Sequence, residues 1–422
     1  MAATKISHSI SIKRILFHFF IMAALMATTS HHKLMIAVLA LLSIFPPLAT
    51  DMYLPALGAV ASELHASASA TELSISMFFL GLGFGQILIG PMIDAYGRKL
   101  PLMLSTIIFT LSSILLLFIQ DIAIFNALRF VQAVGACGGM VISRAIVTDV
   151  YAGQDAAKVM TILVMLMTIG PIASPTLGSL ILTGFGWHAI FMLLVAIGAI
   201  ALILSKLFIS ETLPAEKRVQ RPFAGAWANA KILLRQPGFI VPVLTASFAQ
   251  AGMFSFITGS SNVFQGIFGL NALHYGLAFA AIAISLFIYG SINKMLLGRL
   301  SPIQILSSTL PVYVLMALVT VGVSGTASLW LYMTALWFTI GFVSLLSSNG
   351  MALAMGAARE RAGTGSALLG VCQFGLAFVV SSAVALGSGS LSALPMSLGI
   401  FIPAVISCLI WFFARKTLTE KS

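Results

Sequence analysis

Twelve apolar runs, each near the length a helix needs to cross a bilayer, dominate this sequence. They lie at approximately 34–55, 73–93, 100–119, 122–146, 158–183 and 187–209, and then at 238–262, 272–297, 302–323, 328–352, 363–387 and 391–414. A helix of about 20 residues spans the ~30 Å hydrocarbon core, and it satisfies its own backbone hydrogen bonds there. The alternating segments of ~10 residues that build a membrane β-barrel are absent. The expected fold is therefore an all-α polytopic membrane protein with twelve transmembrane helices. Composition agrees. The 422 residues carry 33 charged side chains, 22 basic and 11 acidic, which is 8% of the chain. A soluble domain carries roughly 25%. This excludes a cytosolic enzyme, a disordered chain and a nucleic-acid-binding domain.

The net charge of +11 does not call for a polyanionic partner, because the basic residues are all accounted for by topology. If the first helix leaves the cytoplasm, 20 of the 22 lysines and arginines fall in inner loops or tails. The other two, Arg129 and Arg144, lie in the fourth segment, and the outer loops hold none. This positive-inside pattern predicts cytoplasmic termini. The three cysteines, Cys137, Cys372 and Cys408, sit inside apolar segments and read as small core residues. Residues 15–29 form a 15-residue apolar run behind Lys13 and Arg14, too short to span. It reads either as an interfacial helix or as an upstream extension before a start nearer Met35.

Residues 210–237 are the only long polar interruption, and six segments lie on each side of it. The expected organisation is a tail (1–32), a six-helix half (33–209), a cytoplasmic linker (210–237), a second six-helix half (238–414) and a cytoplasmic tail (415–422). Each half has 177 residues, and Gly-Arg pairs at Gly97–Arg98 and Gly298–Arg299 recur 201 residues apart. Two halves that both begin inside imply parallel repeats, with a substrate site between them near mid-membrane.

Four stretches carry the chemistry. GPMIDAYGRKLPLML (Gly90–Leu104) joins segments 2 and 3. Gly90 permits close helix approach and Gly97 a tight turn, while Asp94 suits the N–H groups at the start of a facing helix. It resembles the signature of the major facilitator superfamily, Gly-x-x-x-Asp-x-x-Gly-Arg-Arg/Lys, with Gly90, Asp94, Gly97, Arg98 and Lys99 in those places. The resemblance implies a gate whose facing helix is helix 11, starting near Gly363. In segment 4, Arg129 lies about two turns below the outer end, where an arginine needs a partner or must snorkel. Its surroundings, R-F-x-Q-x-x-G, resemble the superfamily motif linked to proton coupling in antiporters. Arg144, near the inner end, snorkels or pairs with Asp149. Segment 5 carries Gly170, Pro171, Pro175 and Gly178, which would kink the helix and pack it tightly. G-P-x-x-x-P-x-x-G resembles the antiporter motif of drug-exporting major facilitators.

The fourth stretch, TDMYLPAL (Thr50–Leu57), ends segment 1. Asp51 reaches a depth similar to Arg129, so it reads as a proton-carrying carboxylate or as an interfacial cap of the outer loop. Glu63 and Glu72 fall in the outer loop on this reading and Asp121 caps helix 4, which leaves Asp51 as the candidate by elimination. TDMYLPAL, RFVQAVGACGG and SSNGMALAMGAARERAGTGSALLGVCQFG (Ser347–Gly375) together look like the Bcr/CflA family of drug-resistance exporters. That resemblance covers about 33–414. It implies the major facilitator fold, two six-helix repeats, the bacterial inner membrane, and proton-driven export of drugs. The tail 1–32 departs from the family pattern, and Asn293 stands roughly where the second half would repeat Asp94.

No enzyme, metal-site or nucleotide motif occurs, so no cofactor is expected and the proton gradient is the available energy source. Gln132, Gln250, Asn262, Asn349 and Gln373 are candidates to line an adaptable cavity among the 30 phenylalanines and 20 methionines. The expected partners are drug-like small molecules, protons and the lipid bilayer, without nucleic acid, and the chain is expected to act as a monomer. The function expected is proton-coupled multidrug efflux by alternating access. Two alternatives stand beside it: an exporter of one dedicated metabolite, and a non-transporting membrane receptor or scaffold.

Overall fold

Polar caps and glycines, more than hydropathy, set where the helices start and stop. The computed structural model describes residues 31–220, 222–389 and 392–414. The expectations for residues 1–30 and 415–422 lie outside the described residues. Eleven helical runs are long and apolar enough to cross a membrane, and Lys99–Leu115 adds a shorter apolar helix of 17 residues. In chain order, α1 is the broken run His31–Ser43, Phe45–Asp51 and Leu57–Glu63. It is followed by α2 (Ala68–Tyr96), α3 (Lys99–Leu115), α4 (Ile122–Val150), α5 (Gly153–Phe185) and α6 (His188–Phe208). A linker helix, Pro222–Leu234, precedes α7 (Pro237–Ser261), α8 (Ala272–Leu296), α9 (Pro302–Gly322), α10 (Leu329–Ala357), α11 (Ala362–Gly387) and α12 (Leu394–Ala414). The all-α fold with twelve apolar helices is the one read from the sequence.

Side chains just outside the helices satisfy the first free N–H groups. Ser67 Oγ accepts from the Ala70 N–H at 3.1 Å, Asp121 Oδ1 from Ala123 and Ile124, and Asn271 Oδ1 from His274. Ser301 and Gln304 form a reciprocal capping box at the start of α9, with Pro302 in the first turn. Gly97, at φ 85°, ends α2 in a conformation that L residues with a Cβ avoid. The break in α1 falls at Ile44, just before Pro46 and Pro47, and Pro55 lies in a 3₁₀ turn over Leu54–Ala56.

One boundary corrects the sequence reading. Hydropathy starts the second segment at 73 and leaves Glu72 in a loop. The Ser67 cap starts α2 five residues earlier, so Glu72 lies in its second turn, 3% exposed.

In the first half, α4 packs on α2 and α3, and α3 on α6; in the second, α7 packs on α10, α11 and α12. The two sets meet mainly where α2 faces α11 and where α5 faces α8. One end of the molecule carries the linker helix; we call it the linker face. Contacts between the halves crowd toward the opposite, far face. Thr176 Oγ1 on α5 donates to the Gly276 carbonyl on α8 at 3.2 Å, and Gln265 Nε2 to the Pro55 carbonyl at 3.4 Å. Ser388 at the end of α11 is hydrogen-bonded to Glu72. Midway along, the rings of Phe79 (α2) and Phe254 (α7) lie 4.6 Å apart, and Gln86 (α2) packs against Gly370 (α11). Toward the linker face, a Cβ at Gly90 or Gly363 would meet nothing within 4 Å, and the Asp94 side chain is 54% exposed. The halves therefore touch on the far side and part on the linker side.

Candidate functional site

Arg129 is wholly buried, and aromatic rings rather than carboxylates surround it. α4 places its guanidinium 4.5 Å from the centroid of the Phe78 ring, 4.9 Å from Tyr53 and 5.9 Å from Phe191. Such stacking on ring faces favours a cation, most strongly where water is excluded. Its Nη1 donates to Gln132 Oε1 at 2.6 Å, and Gln132 Nε2 donates onward to Ser113 Oγ at 2.8 Å. Arg129 Nε and Nη2 have no hydrogen-bond partner among the described residues. Asp51, at the end of the Phe45–Asp51 helix, is 2% exposed and its carboxylate has no hydrogen-bond or ion-pair partner among the described residues. The two groups are both buried, but no ion pair joins them here. Tyr53, two residues after Asp51, lies between the two chemistries: its ring meets Arg129 and its hydroxyl accepts from Ser74 Oγ at 3.2 Å.

The loop between α2 and α3 forms a charged knot. Arg98 Nη1 donates to Asp94 Oδ1 and to the Ile93 carbonyl, and Nε donates to Asp149 Oδ2, each at 2.9 Å. Glu211, which sequence reasoning left in the linker without a role, accepts from the Arg98 N–H at 2.7 Å and the Lys99 N–H at 3.2 Å. It therefore caps the start of α3 from outside the helix. Thr212 Oγ1 ties the linker to Asp149 at 2.9 Å, and the Val219 N–H donates to the Asp94 carbonyl. Two expectations change. Asp94 turns to Arg98 rather than to the start of α11, because the halves have parted at this face. Asp149 takes Arg98, so Arg144 is left with the Met167 sulfur at 3.2 Å.

Burial pushes the Glu211 carboxyl up, but the Arg98, Leu213 and Lys99 N–H groups and the Arg218 charge hold it below its ordinary 4.5. Its contribution is therefore fully present above about pH 4.5 and is lost as pH falls through the lower folded value. Glu211→Ala should lower stability at neutral pH by about 1 kcal/mol, as a lost helix cap does. Thermal unfolding of the purified protein checks this, and an unchanged midpoint would mean the cap is idle.

The α5 glycines and prolines serve two neighbours. A Cβ at Gly170 would meet Pro47 at 2.9 Å, and one at Gly178 would collide with the Met52 carbonyl, so both glycines bring α5 onto α1. Pro175 and Pro171 lie inside the helix, and the Pro175 carbonyl faces Gly276 of α8 across the halves. Of the polar cavity candidates, Gln132 and Asn349 are buried in hydrogen bonds within their own halves, the latter to Asn293 Oδ1 at 2.7 Å. Gln250, Asn262 and Gln373 are half-buried, and Gln250 accepts from Ser347 Oγ at 2.7 Å.

The Major Facilitator Superfamily profile matches residues 39–382. The chain belongs to this superfamily. It is a multi-pass membrane transporter of small molecules and not an enzyme. It is 34% identical over 403 residues to an uncharacterized MFS-type transporter, YdgK, of Bacillus subtilis (strain 168), covering 92% of this chain and 97% of that one. A bicyclomycin resistance protein homolog of Haemophilus influenzae is 29% identical, covering 90% and 95%. The multidrug resistance protein MdtL of Salmonella heidelberg is 27% identical, covering 87% and 91%. Among solved structures, a D-xylose–proton symporter superposes with a TM-score of 0.74 at 13% identity, covering 91% of this chain and 97% of that one. A bacterial homolog of the human lysosomal transporter Spinster, inward-facing and unoccupied, superposes with a TM-score of 0.69 at 14% identity, covering 93% and 98%. At such identities the solved structures establish the fold alone.

Proposed function

We propose that this transporter exports amphipathic or apolar drug-like compounds from the cytoplasm across the bacterial inner membrane, driven by proton entry. On this reading the linker face is cytoplasmic, both termini lie there, and residues 33–209 and 238–414 rock about residues 210–237. The observation that carries the reading is the pairless state of Asp51 and Arg129 in a conformation open on the linker side. A carboxylate held away from water and cations costs more as the anion than as the acid. Protonated Asp51 leaves Arg129 to Gln132 and the aromatic rings; ionised Asp51 would draw the two free guanidinium N–H groups to itself. A proton thus biases two arrangements, as coupling requires. The cargo class follows from what the second half lacks: α7–α12 carry charged side chains only in the last turn of α8, so the interface offers rings and amides rather than charges. Relatives named for bicyclomycin and multidrug resistance fit the same class.

A susceptibility panel in an efflux-deficient bacterial host tests it. Expression should raise tolerance to several unrelated apolar drugs, and a protonophore should abolish the accompanying dye efflux. Tolerance confined to one polar metabolite would favour a dedicated exporter, and efflux that survives the protonophore would remove the proton from the mechanism.

A further inference from the structure

Among the described residues, Glu72 is the only carboxylate hydrogen-bonded across the two halves. It sits in the far-side seal, 3% exposed, against Ser388 of the α11 terminus. Ser388 Oγ also reaches the Val384 carbonyl at 3.1 Å. A serine hydroxyl has one hydrogen. With Glu72 ionised, that hydrogen faces two acceptors and serves one, and the other is left buried and short of a donor. With Glu72 protonated, the carboxyl O–H donates to Ser388 Oγ, and the serine hydrogen goes to Val384. Ser388 Oγ, its hydrogen and the Val384 carbonyl are then all satisfied. The closed seal therefore has the hydrogen-bond count of the acid and not of the carboxylate.

Among the described residues no cation is paired with Glu72; the histidines of the elements around it are His65, exposed just before the Ser67 cap, His188 at the start of α6, and His274, exposed in the first turn of α8. α7 carries no titratable side chain, and α11 offers only Cys372. On α4, Asp121 is occupied as the helix cap, and Arg129 is held by Gln132 and the rings of Phe78, Tyr53 and Phe191. Glu63, at the end of α1, accepts from Trp187 Nε1 at 2.6 Å and lies 3.5 Å from His188. Lys99 of α3 and Lys231 of the linker helix lie at the linker face. The other buried acid of the first half, Asp51, is 2% exposed at the end of the Phe45–Asp51 helix.

We propose that Glu72 is a second proton-binding site, distinct from Asp51, and that the far side seals only when Glu72 carries its proton. The proton is taken from the far-side water as the halves close there and is returned to it as they part. The bond exchanged is a carboxyl O–H for water O–H, with no other reactant. The proposal rests on the proton-antiport reading for its place in the cycle, but the seal itself is measurable without transport.

Spin labels at Gly58→Cys and Gly325→Cys, both exposed on the far side in opposite halves, report its opening in purified protein with Cys372 and Cys408 replaced by serine. One linked proton shifts the closed-to-open ratio by up to about tenfold per pH unit. The closed population should rise as pH falls. Glu72→Gln, whose amide donates as the acid does, should stay closed with that slope lost. Ser388→Ala, which removes the hydroxyl that makes the seal favour the acid, should open the seal and weaken the slope, whereas Asp51→Asn should keep it. A wild-type distribution indifferent to pH, a slope that survives in Glu72→Gln, or a slope lost in Asp51→Asn would overturn the proposal. Drug transport measured on the same preparations separates the two readings. Proton-coupled transport with an unchanged Glu72→Gln slope sinks this inference alone, whereas uncoupled transport with the slope intact sinks only the antiport reading.

Discussion

Asp51→Asn should abolish uphill export while the protein remains folded and exchanges drug downhill. The magnitude follows from the energy source. One charge crossing 100 mV supplies about 2.3 kcal/mol, and each tenfold gradient costs about 1.4 kcal/mol. One proton per neutral drug therefore sustains roughly a fifty-fold gradient, and a side chain that cannot titrate should collapse it to about one. The asparagine amide nearly matches the carboxylic acid in size, so packing around the 2%-exposed site should persist. Arg129→Ala should impair coupling as well and open a void between Phe78 and Tyr53. Arg129→Lys keeps the charge but loses the planar group that stacks on those rings, so partial coupling is expected. Accumulation of a neutral fluorescent substrate in proteoliposomes under an imposed membrane potential reads all three. A normal gradient in Asp51→Asn would leave Asp51 as a buried cap.

Gly178→Leu should remove transport by a different route. A Cβ there runs into the backbone carbonyl of Met52, which cannot swing aside as a side-chain tip does. Overpacking of this kind costs about 1–3 kcal/mol, and here the strain falls on the contact that holds α5 against the Asp51-bearing end of α1. Gly178→Ala should reduce transport, and Gly178→Leu should abolish it with the protein still monodisperse on gel filtration. Full transport by the leucine variant would mean that α5 and α1 need not approach closely.

Much of this architecture is legible in the sequence because it follows from the bilayer. Segment length fixes the helix count, and Asp94, Gly97 and Arg98 announce the turn they build. The misreadings share a cause. Hydropathy marks where lipid begins and not where a helix begins, so by hydropathy Glu72 reads as a loop residue although Ser67 already caps α2 ahead of it. Sequence proximity offers Asp149 to Arg144 as one of two readings, beside snorkelling, whereas the tertiary fold gives Asp149 to Arg98 from 51 residues away. Arg129 is legible as an arginine that needs a partner, and Asp51 as either a proton carrier or an interfacial cap, but the cage of Tyr53, Phe78 and Phe191 is not, since its rings come from three separate stretches of the chain. Glu211 offered no signal at all, because a linker carboxylate that caps a distant helix leaves no local pattern.

The most direct measurement is proton release on drug binding. Purified transporter in weakly buffered detergent solution is mixed with a drug that it exports, and the pH is followed. The account predicts that drug binding to the wild type releases protons, that Asp51→Asn releases none, and that this variant still binds the drug. Release from Asp51→Asn equal to the wild type would contradict it, because the coupling proton would then reside on another group.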